Sequence, residues 1–217
     1  MNKNEQFVIS INRELGSGGR TIGRMLAEKL GVHFYDKAVI TALEEKYQLT
    51  VEEIEKPKGR KHNWWADFER IANIGQGFIS NYNSEYSSSR SSQPTTHEMF
   101  KIETEILQDI ANEESCVVAG RSGFFVFRNH PNHLSVLVLA SLPYRVARLV
   151  RKRNITEEEA RKTIERVDWM RENYVKKFTN ASRYDARSYD MVITMDNITE
   201  EDAVDLIMDY IDRQSSK

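Results

Sequence analysis

The chain has 217 residues, of which 40% are hydrophobic and 29% are charged, with 10 Gly and 4 Pro. These proportions exclude collagen-like, low-complexity and wholly disordered proteins, and they predict one soluble globular domain over residues 1–217. The formal net charge is −2, but residues 143–187 hold 13 Lys/Arg against 7 Asp/Glu, so this segment is expected to meet anions.

Cysteine content and hydropathy limit the compartment and the partners. The lone cysteine, Cys116, excludes a disulfide framework and a Cys-based metal site. The longest near-continuous apolar run, 134–142, is about half of the roughly 20 residues that a membrane span needs, and the N-terminus has no signal-peptide pattern. Because the chain is mildly acidic outside its one basic segment, nucleic acid is not an expected partner. We expect a cytoplasmic protein, monomeric or weakly homo-oligomeric, with no membrane partner.

Five short β-like runs alternate with helical patterns along the chain. The runs are continuously apolar rather than alternating, as expected for parallel strands covered by helices on both faces. Alternation of this kind predicts an α/β fold, a three-layer αβα sandwich. The predicted strands are 7–11, 32–36, 115–120, 133–141 and 189–196.

Helix starts are marked by a threonine followed three residues later by an acid. The first helix is predicted to begin near Thr21 and to end at Gly31, and a long helix is predicted from Thr156 to about Phe178. The four capping pairs are Thr50/Glu53, Thr95/Glu98, Thr156/Glu159 and Thr199/Asp202.

Residues 56–95 break this rhythm and predict an insertion with a mobile Ser-rich loop at about 80–95. The insertion carries the adjacent pair Trp64 and Trp65. These rings either stack on a base or partner, or form a local core, and the second is the commoner use of such aromatics.

A glycine-rich turn follows the first strand and leads into the first helix. Small residues at such a turn let backbone N–H groups converge on an anion, and the helix N-terminus adds a partial positive charge. Compared with the P-loop pattern GxxxxGK[ST], Arg20 replaces the lysine and Glu14 replaces the first glycine. A tight turn that merely needs glycines is the alternative. The candidate phosphate-binding residues are Gly16, Ser17, Gly18, Gly19, Arg20 and Thr21.

Two side chains in this turn have specific expected roles. The Arg20 guanidinium can hold phosphates through its planar fork, where lysine acts as a point charge. The Thr21 hydroxyl is either a ligand of Mg²⁺ or a plain helix cap. None of the five histidines shows ligand spacing with another His, Cys or acid, so no other metal is expected.

The stretch SINRELGSGGRTIGRMLAEKLGVHFYDKAVI resembles the start of the cytidylate kinase-like family, a branch of the P-loop nucleoside monophosphate kinases. Three later stretches are also similar to that family: VVAGRSGFFV, ERVDWMRENYVKKF and YDMVITMDNITEEDAVDLI. The resemblance implies a five-stranded parallel sheet of the P-loop nucleoside triphosphate hydrolase type, with ATP and Mg²⁺ as cofactors. It also implies an acceptor-binding insertion at about 37–112 and an arginine-bearing lid at about 145–178.

The reaction that the resemblance implies is transfer of the γ-phosphoryl group of ATP to CMP, dCMP or a related monophosphate. Arg20 would be catalytic, together with lid arginines that close over the phosphates. Arg151 and Arg153 are the lid residues of choice, and a solvated basic face is the alternative. Spacing alone does not show which arginine faces inward among Arg145, Arg148, Arg151 and Arg153.

Four residues are candidates for binding the acceptor. Asp168 and Arg171 lie one turn apart and match the family's acceptor-contacting Asp-x-x-Arg, or they form a simple surface pair. Arg121 follows the third strand and would meet the acceptor phosphate, or it pairs with a nearby carboxylate. Asp36 would meet Mg²⁺-bound water or the acceptor, or it caps a helix that begins at Lys37.

The sequence departs from the family's pattern after the Gly-Arg pair, where related cytidylate kinases have an acid and this chain has Ser122. Two other functions are therefore kept. One is phosphorylation of a small non-nucleotide metabolite on the same fold, and the other is a catalytically weak nucleotide-binding regulator.

Overall fold

The computed structural model describes residues 1–36 and 96–215, with side chains from residue 100 onward in the second range. The strands in these ranges are β1 (Val8–Arg13), β2 (His33–Tyr35), β3 (Cys116–Ala119), β4 (His133–Leu139) and β5 (Met191–Thr194). The helices are α1 (Gly19–Leu30), α2 (Thr96–Glu113), α3 (Gly123–Val126), α4 (Leu142–Arg153), α5 (Glu157–Thr179) and α6 (Glu200–Ser215), with a short 3₁₀ turn at Ala186–Ser188.

The five strands form one sheet in the order β2-β3-β1-β4-β5. All pairings are parallel, and Val8 of β1 is in register with Cys116 on one side and His133 on the other. The predicted parallel sheet is therefore confirmed, with strand ends that differ by a few residues. Since β1 is central, the segments that follow β1, β3 and β4 meet at the same edge of the sheet.

Apolar side chains bury both faces of the sheet, as the continuous strand hydrophobicity predicts. On one face, Ile9 and Ile11 of β1 pack in a core with residues of α1 and α6, including Leu26 and Ile207. On the other face, Val8 and Val118 pack with residues of α2 and α3. This confirms the three-layer αβα sandwich.

The helix boundaries follow the capping chemistry of the sequence. Thr156 and Glu159 form a reciprocal capping box at the start of α5, in which the Thr156 N–H donates to Glu159 Oε2 at 2.8 Å. Thr199 and Asp202 bond reciprocally in the same way at α6. The first helix, expected to begin near Thr21, begins two residues earlier, because Gly18 takes the left-handed N-cap position.

Part of the predicted insertion at 37–112 is described as α2. Residues 37–95 lie outside the described residues, and with them the Thr50 cap, the Trp64 and Trp65 pair, the Ser-rich loop and any helix that begins at Lys37. None of the helices within the described ranges is sufficiently long and apolar to cross a membrane.

Stability is expected to depend on pH through His133, at the start of β4. Its ring shares a 2.8 Å hydrogen bond with the Ser10 hydroxyl, and burial lowers its pKa from 6.5 to about 4. The folded protein therefore binds fewer protons than the unfolded chain between these values, so stability is complete above pH 6.5 and falls as the pH drops towards 4. We expect a loss of about 2 kcal/mol over this range, because the ring is only partly buried.

Urea unfolding of the wild type and of His133→Gln at several pH values measures this loss. The glutamine amide can still bond to Ser10 but does not titrate. The difference in free energy of unfolding between the two proteins should change between pH 6.5 and 4. Two curves that stay parallel across that range would show that His133 does not contribute.

Candidate active site

The glycine-rich loop after β1 packs tightly against α4. Gly16 has a φ of 89°, and a Cβ at this position would lie 2.8 Å from the backbone oxygen of Arg145. Only glycine satisfies both the left-handed backbone and this close approach. At the end of the loop, α1 starts on Gly18 without a side-chain cap, which leaves its first N–H groups for a ligand. The local geometry is that of an anion-binding loop.

Arg20 and Asp36, which the sequence analysis treated separately, form one ion pair. Arg20 Nε donates to Asp36 Oδ2 at 2.5 Å. The Asp36 side chain is buried at the end of β2, whereas that of Arg20 is 57% exposed. The carboxylate fixes the direction of the guanidinium, and the guanidinium stays accessible to a phosphate at the helix start.

Thr21 lies in the first turn of α1 and is not its cap, since Gly18 holds that position. Its Oγ1 accepts a hydrogen bond at 3.3 Å from Arg148, and Arg148 also pairs with Glu200 at 2.5 Å. A hydroxyl oxygen has two lone pairs, so one remains for a cation. In kinase sites Mg²⁺ takes one or two protein ligands and completes its shell with phosphate oxygens and water. Thr21 fits that role.

Within residues 1–36 and 96–215, no group of three or more His, Cys, Asp or Glu side chains is placed to hold a metal ion. An Mg²⁺ ion held largely by the phosphates of a bound nucleotide does not need such a group.

The Asp168 carboxylate joins the phosphate loop to three arginines. It accepts a hydrogen bond from the Leu15 N–H at 3.0 Å and another from Arg145 Nη1 at 2.6 Å. Guanidinium nitrogens of Arg171 and Arg183 each lie 3.6 Å from it. Asp168 is only 9% exposed, so it does not form a simple surface pair with Arg171. Its contact with an acceptor stays a prediction.

Arg13 and Arg183 belong to this group and were missed by the sequence analysis. Arg183 is 1% exposed and donates to the backbone oxygen of Arg13, to which Arg171 also donates at 3.3 Å. The Arg13 guanidinium lies over Gly120, where a Cβ would come within 1.9 Å of its Nη1. Arg13 could have been found from the sequence, because it lies at the carboxyl end of β1, where parallel sheets bind ligands. Arg183 lies in a loop and had no such signal in the sequence.

Arg121 occupies a strained turn at the end of β3. Gly120, Arg121 and Ser122 have successive φ values of 81°, 55° and 55°, and two left-handed non-glycine residues in a row are costly. Arg121 pairs with Glu103 of α2, which also accepts a 2.8 Å hydrogen bond from the Tyr174 hydroxyl of α5. The alternative expectation for Arg121, that it pairs with a nearby carboxylate, is thus met by Glu103. Strain of this kind is concentrated at functional sites, and the role of Arg121 towards an acceptor stays a prediction.

The arginine side chains of α4 fall into two groups, one facing the protein interior and one facing solvent. Arg145 and Arg148 turn inward onto Asp168 and Thr21, while Arg151 and Arg153 lie exposed in the last turn. The pKa of Arg171 is lowered mainly by burial, and the charge of Arg153 is close enough to contribute to this lowering. The catalytic role of Arg151 and Arg153 stays a prediction.

Asp168→Asn should destabilise the protein by about 3 kcal/mol, because it leaves buried guanidinium groups without their shared carboxylate. Glu165→Gln, on an exposed position of the same helix, is the matched control and should change stability by less than about 0.5 kcal/mol. Urea unfolding of the three proteins measures both values. Equal, small effects would mean that Asp168 is only a surface charge.

Comparison with known proteins gave a family and a set of structures. The cytidylate kinase-like family matches residues 8–197, and no curated protein matches the chain. An uncharacterized protein from Eubacterium ventriosum is 21% identical, with a TM-score of 0.69 over 95% of this chain and 99% of that one.

Two kinases share the fold at lower similarity. A gluconokinase from Sinorhizobium meliloti is 14% identical, with a TM-score of 0.51 over 97% of this chain and 94% of its own. A shikimate kinase from Bacteroides thetaiotaomicron is 16% identical, with a TM-score of 0.50 over 95% and 98%. These structures show the P-loop kinase fold, and the match over residues 8–197 shows that the chain belongs to the cytidylate kinase-like family.

Proposed function

We propose that the protein transfers the γ-phosphoryl group of Mg·ATP to a nucleoside monophosphate, with CMP or dCMP as the preferred acceptor. The observation that carries the proposal is the meeting of two sets of groups at one sheet edge. The phosphate loop with Arg20 follows β1. Arg121, which pairs with Glu103, follows β3 at the same edge of the sheet, and Arg171 lies beside Asp168.

On the donor side, the loop would hold the triphosphate through its backbone N–H groups and Arg20. Thr21 would supply a ligand for Mg²⁺, which neutralises charge on the phosphates. Asp36 orients Arg20 through the 2.5 Å pair. An arginine so held can make the planar, two-pronged contact with phosphate that the usual lysine cannot.

On the acceptor side, Arg121 and Arg171 would bind the acceptor phosphate. An oxygen of that phosphate attacks the γ-phosphorus of ATP, while the bond from this phosphorus to the β,γ-bridging oxygen breaks and its electron pair leaves with ADP. No proton has to be removed from a phosphate dianion. The protein's contribution is to align the two phosphates and to stabilise negative charge, and arginines suit both tasks.

One observation favours a second acceptor class. Ser122 stands where related enzymes have an acid, and its hydroxyl is buried without a hydrogen-bond partner among the described residues. This leaves no charged acceptor of base N–H groups directly after Arg121. The second candidate is therefore phosphorylation of a small anionic metabolite.

The test is ADP production from Mg·ATP with each common nucleoside monophosphate in turn, against a blank without acceptor. CMP or dCMP should stimulate turnover most, and Arg20→Ala should abolish it without loss of fold, which excludes a contaminating kinase. Stimulation by none of the nucleotides, with ATP still bound, would reject the nucleotide acceptor and favour a small metabolite.

Arg121→Ala should raise KM for the acceptor by about 10- to 100-fold, since one charge-assisted contact with phosphate is lost. KM for ATP should change less than about threefold. Arg128→Ala removes an exposed arginine nearby and should change neither constant. Steady-state kinetics with each substrate varied separately measures all four values. Equal rises in both KM values for Arg121→Ala would contradict an acceptor role.

A further inference from the structure

Three arginines cluster at the carboxyl end of β1 with little negative charge to balance them. The backbone oxygen of Arg13 accepts from Arg171 and from Arg183, which brings all three residues to one point. Arg171 and Arg183 share Asp168 at 3.6 Å, and that carboxylate makes its short bond to Arg145 instead. Within the described residues, no carboxylate lies within ion-pair distance of the Arg13 guanidinium.

The side chain of Arg183 has hydrogen-bonding capacity that the described residues do not use. It is 1% exposed, and its Nε and Nη1 have no hydrogen-bond partner among the described residues. Leaving such donors unpaired in the interior costs free energy, and a charged donor costs more than a neutral one. A buried guanidinium whose Nε has no partner, and whose Nη1 has only the 3.6 Å ion pair with Asp168, is therefore suited to binding an anion.

Electrostatics of Arg13 agree with this geometry. Burial, and then the charges of Arg171 and Arg183, lower the pKa of Arg13 to about 9, although the nearby charge of Asp36 acts in the opposite direction. The guanidinium still carries its charge at neutral pH, so the repulsion in the cluster is relieved by an anion rather than by loss of a proton.

The position of Arg13 indicates which anion this is. It directly precedes the phosphate loop, and its side chain passes over Gly120, next to Arg121. Arg20 also lies near enough for its charge to act on Arg13. Arg13 is thus close to Arg20, the proposed donor-side cation, and its guanidinium lies beside the residue that precedes Arg121, the proposed acceptor-side cation.

We propose that Arg13, Arg171 and Arg183 form an anion site for the phosphoryl group in transfer, with Arg13 as a catalytic residue that contacts its equatorial oxygens. That the anion is the transferred group rests on the proposed function, whereas the anion site itself does not. During transfer of the phosphoryl group from ATP to the acceptor phosphate, Arg13 neither gains nor loses a proton. It stabilises the negative charge spread over the three equatorial oxygens as the old P–O bond breaks and the new one forms.

Inorganic phosphate is the probe, titrated by calorimetry into the protein in saturating Mg·ADP, which fills the phosphate loop. The wild type should bind phosphate, and Arg13→Met should weaken this binding at least tenfold, while its affinity for Mg·ADP changes less than twofold. Arg161→Met, which removes an exposed arginine of α5, is the matched control and should leave phosphate affinity unchanged. Equal phosphate affinity in the wild type and Arg13→Met, or no phosphate binding by the wild type, would overturn the proposal.

Circular dichroism checks that Arg13→Met is folded. If it is not, Arg13→Lys keeps the charge but not the planar fork, and phosphate binding should weaken severalfold. Unchanged affinity in that variant would also reject the site. Phosphate binding that depends on Arg13, in a protein that phosphorylates no nucleoside monophosphate, would reject the proposed acceptor while supporting the anion site.

Discussion

One buried carboxylate, that of Asp168, fixes the arrangement of the whole site. It bonds to the backbone of the phosphate loop at Leu15 and to Arg145 of α4, and it attracts Arg171 of its own helix and Arg183 of the following loop. A charge so buried is tolerated only when it is compensated by opposite charge and hydrogen bonds. The loop, α4 and the segment after α5 must therefore stay together for the carboxylate to be satisfied.

The arrangement also leaves positive charge in excess, and the proposed reaction would use this excess. Guanidinium groups held close together repel one another, which costs stability unless an anion is bound. Proteins accept such costs at sites where charge develops during a reaction, because groups that are already in place need no reorganisation. A kinase that moves a phosphoryl group between two phosphates is an enzyme with that requirement.

A second chain of contacts joins Arg121, the proposed acceptor-binding residue, to α5, which lies within the predicted lid. Arg121 pairs with Glu103 of α2, and the same carboxylate accepts from Tyr174 of α5. Next to it, the rings of Phe100 and Phe178 stack with centroids 4.5 Å apart. These contacts connect α2, the described end of the predicted insertion, to α5, the helix that bears Asp168.

The local features of the fold were predictable from the sequence because they depend on neighbouring residues. Continuous apolar runs gave the parallel strands, and the pairs Thr156/Glu159 and Thr199/Asp202 gave helix starts. The glycine-rich turn predicted the phosphate loop, because the left-handed backbone at Gly16 is a local feature that requires glycine. Even here, the start of α1 was placed two residues too late, because Gly18 takes the cap position without any capping side chain.

The long-range features were decided by the tertiary structure alone. Sequence spacing showed neither that Arg20 meets Asp36, nor that Glu103 holds Arg121, nor that Arg183 reaches the backbone of Arg13 across 170 positions. Each of these pairs joins side chains from different elements, whose proximity follows from the order of the strands in the sheet. The sequence by itself therefore determined the elements and the glycine-rich loop, whereas the partners of the arginines depended on packing between distant segments, a property that no local pattern encodes.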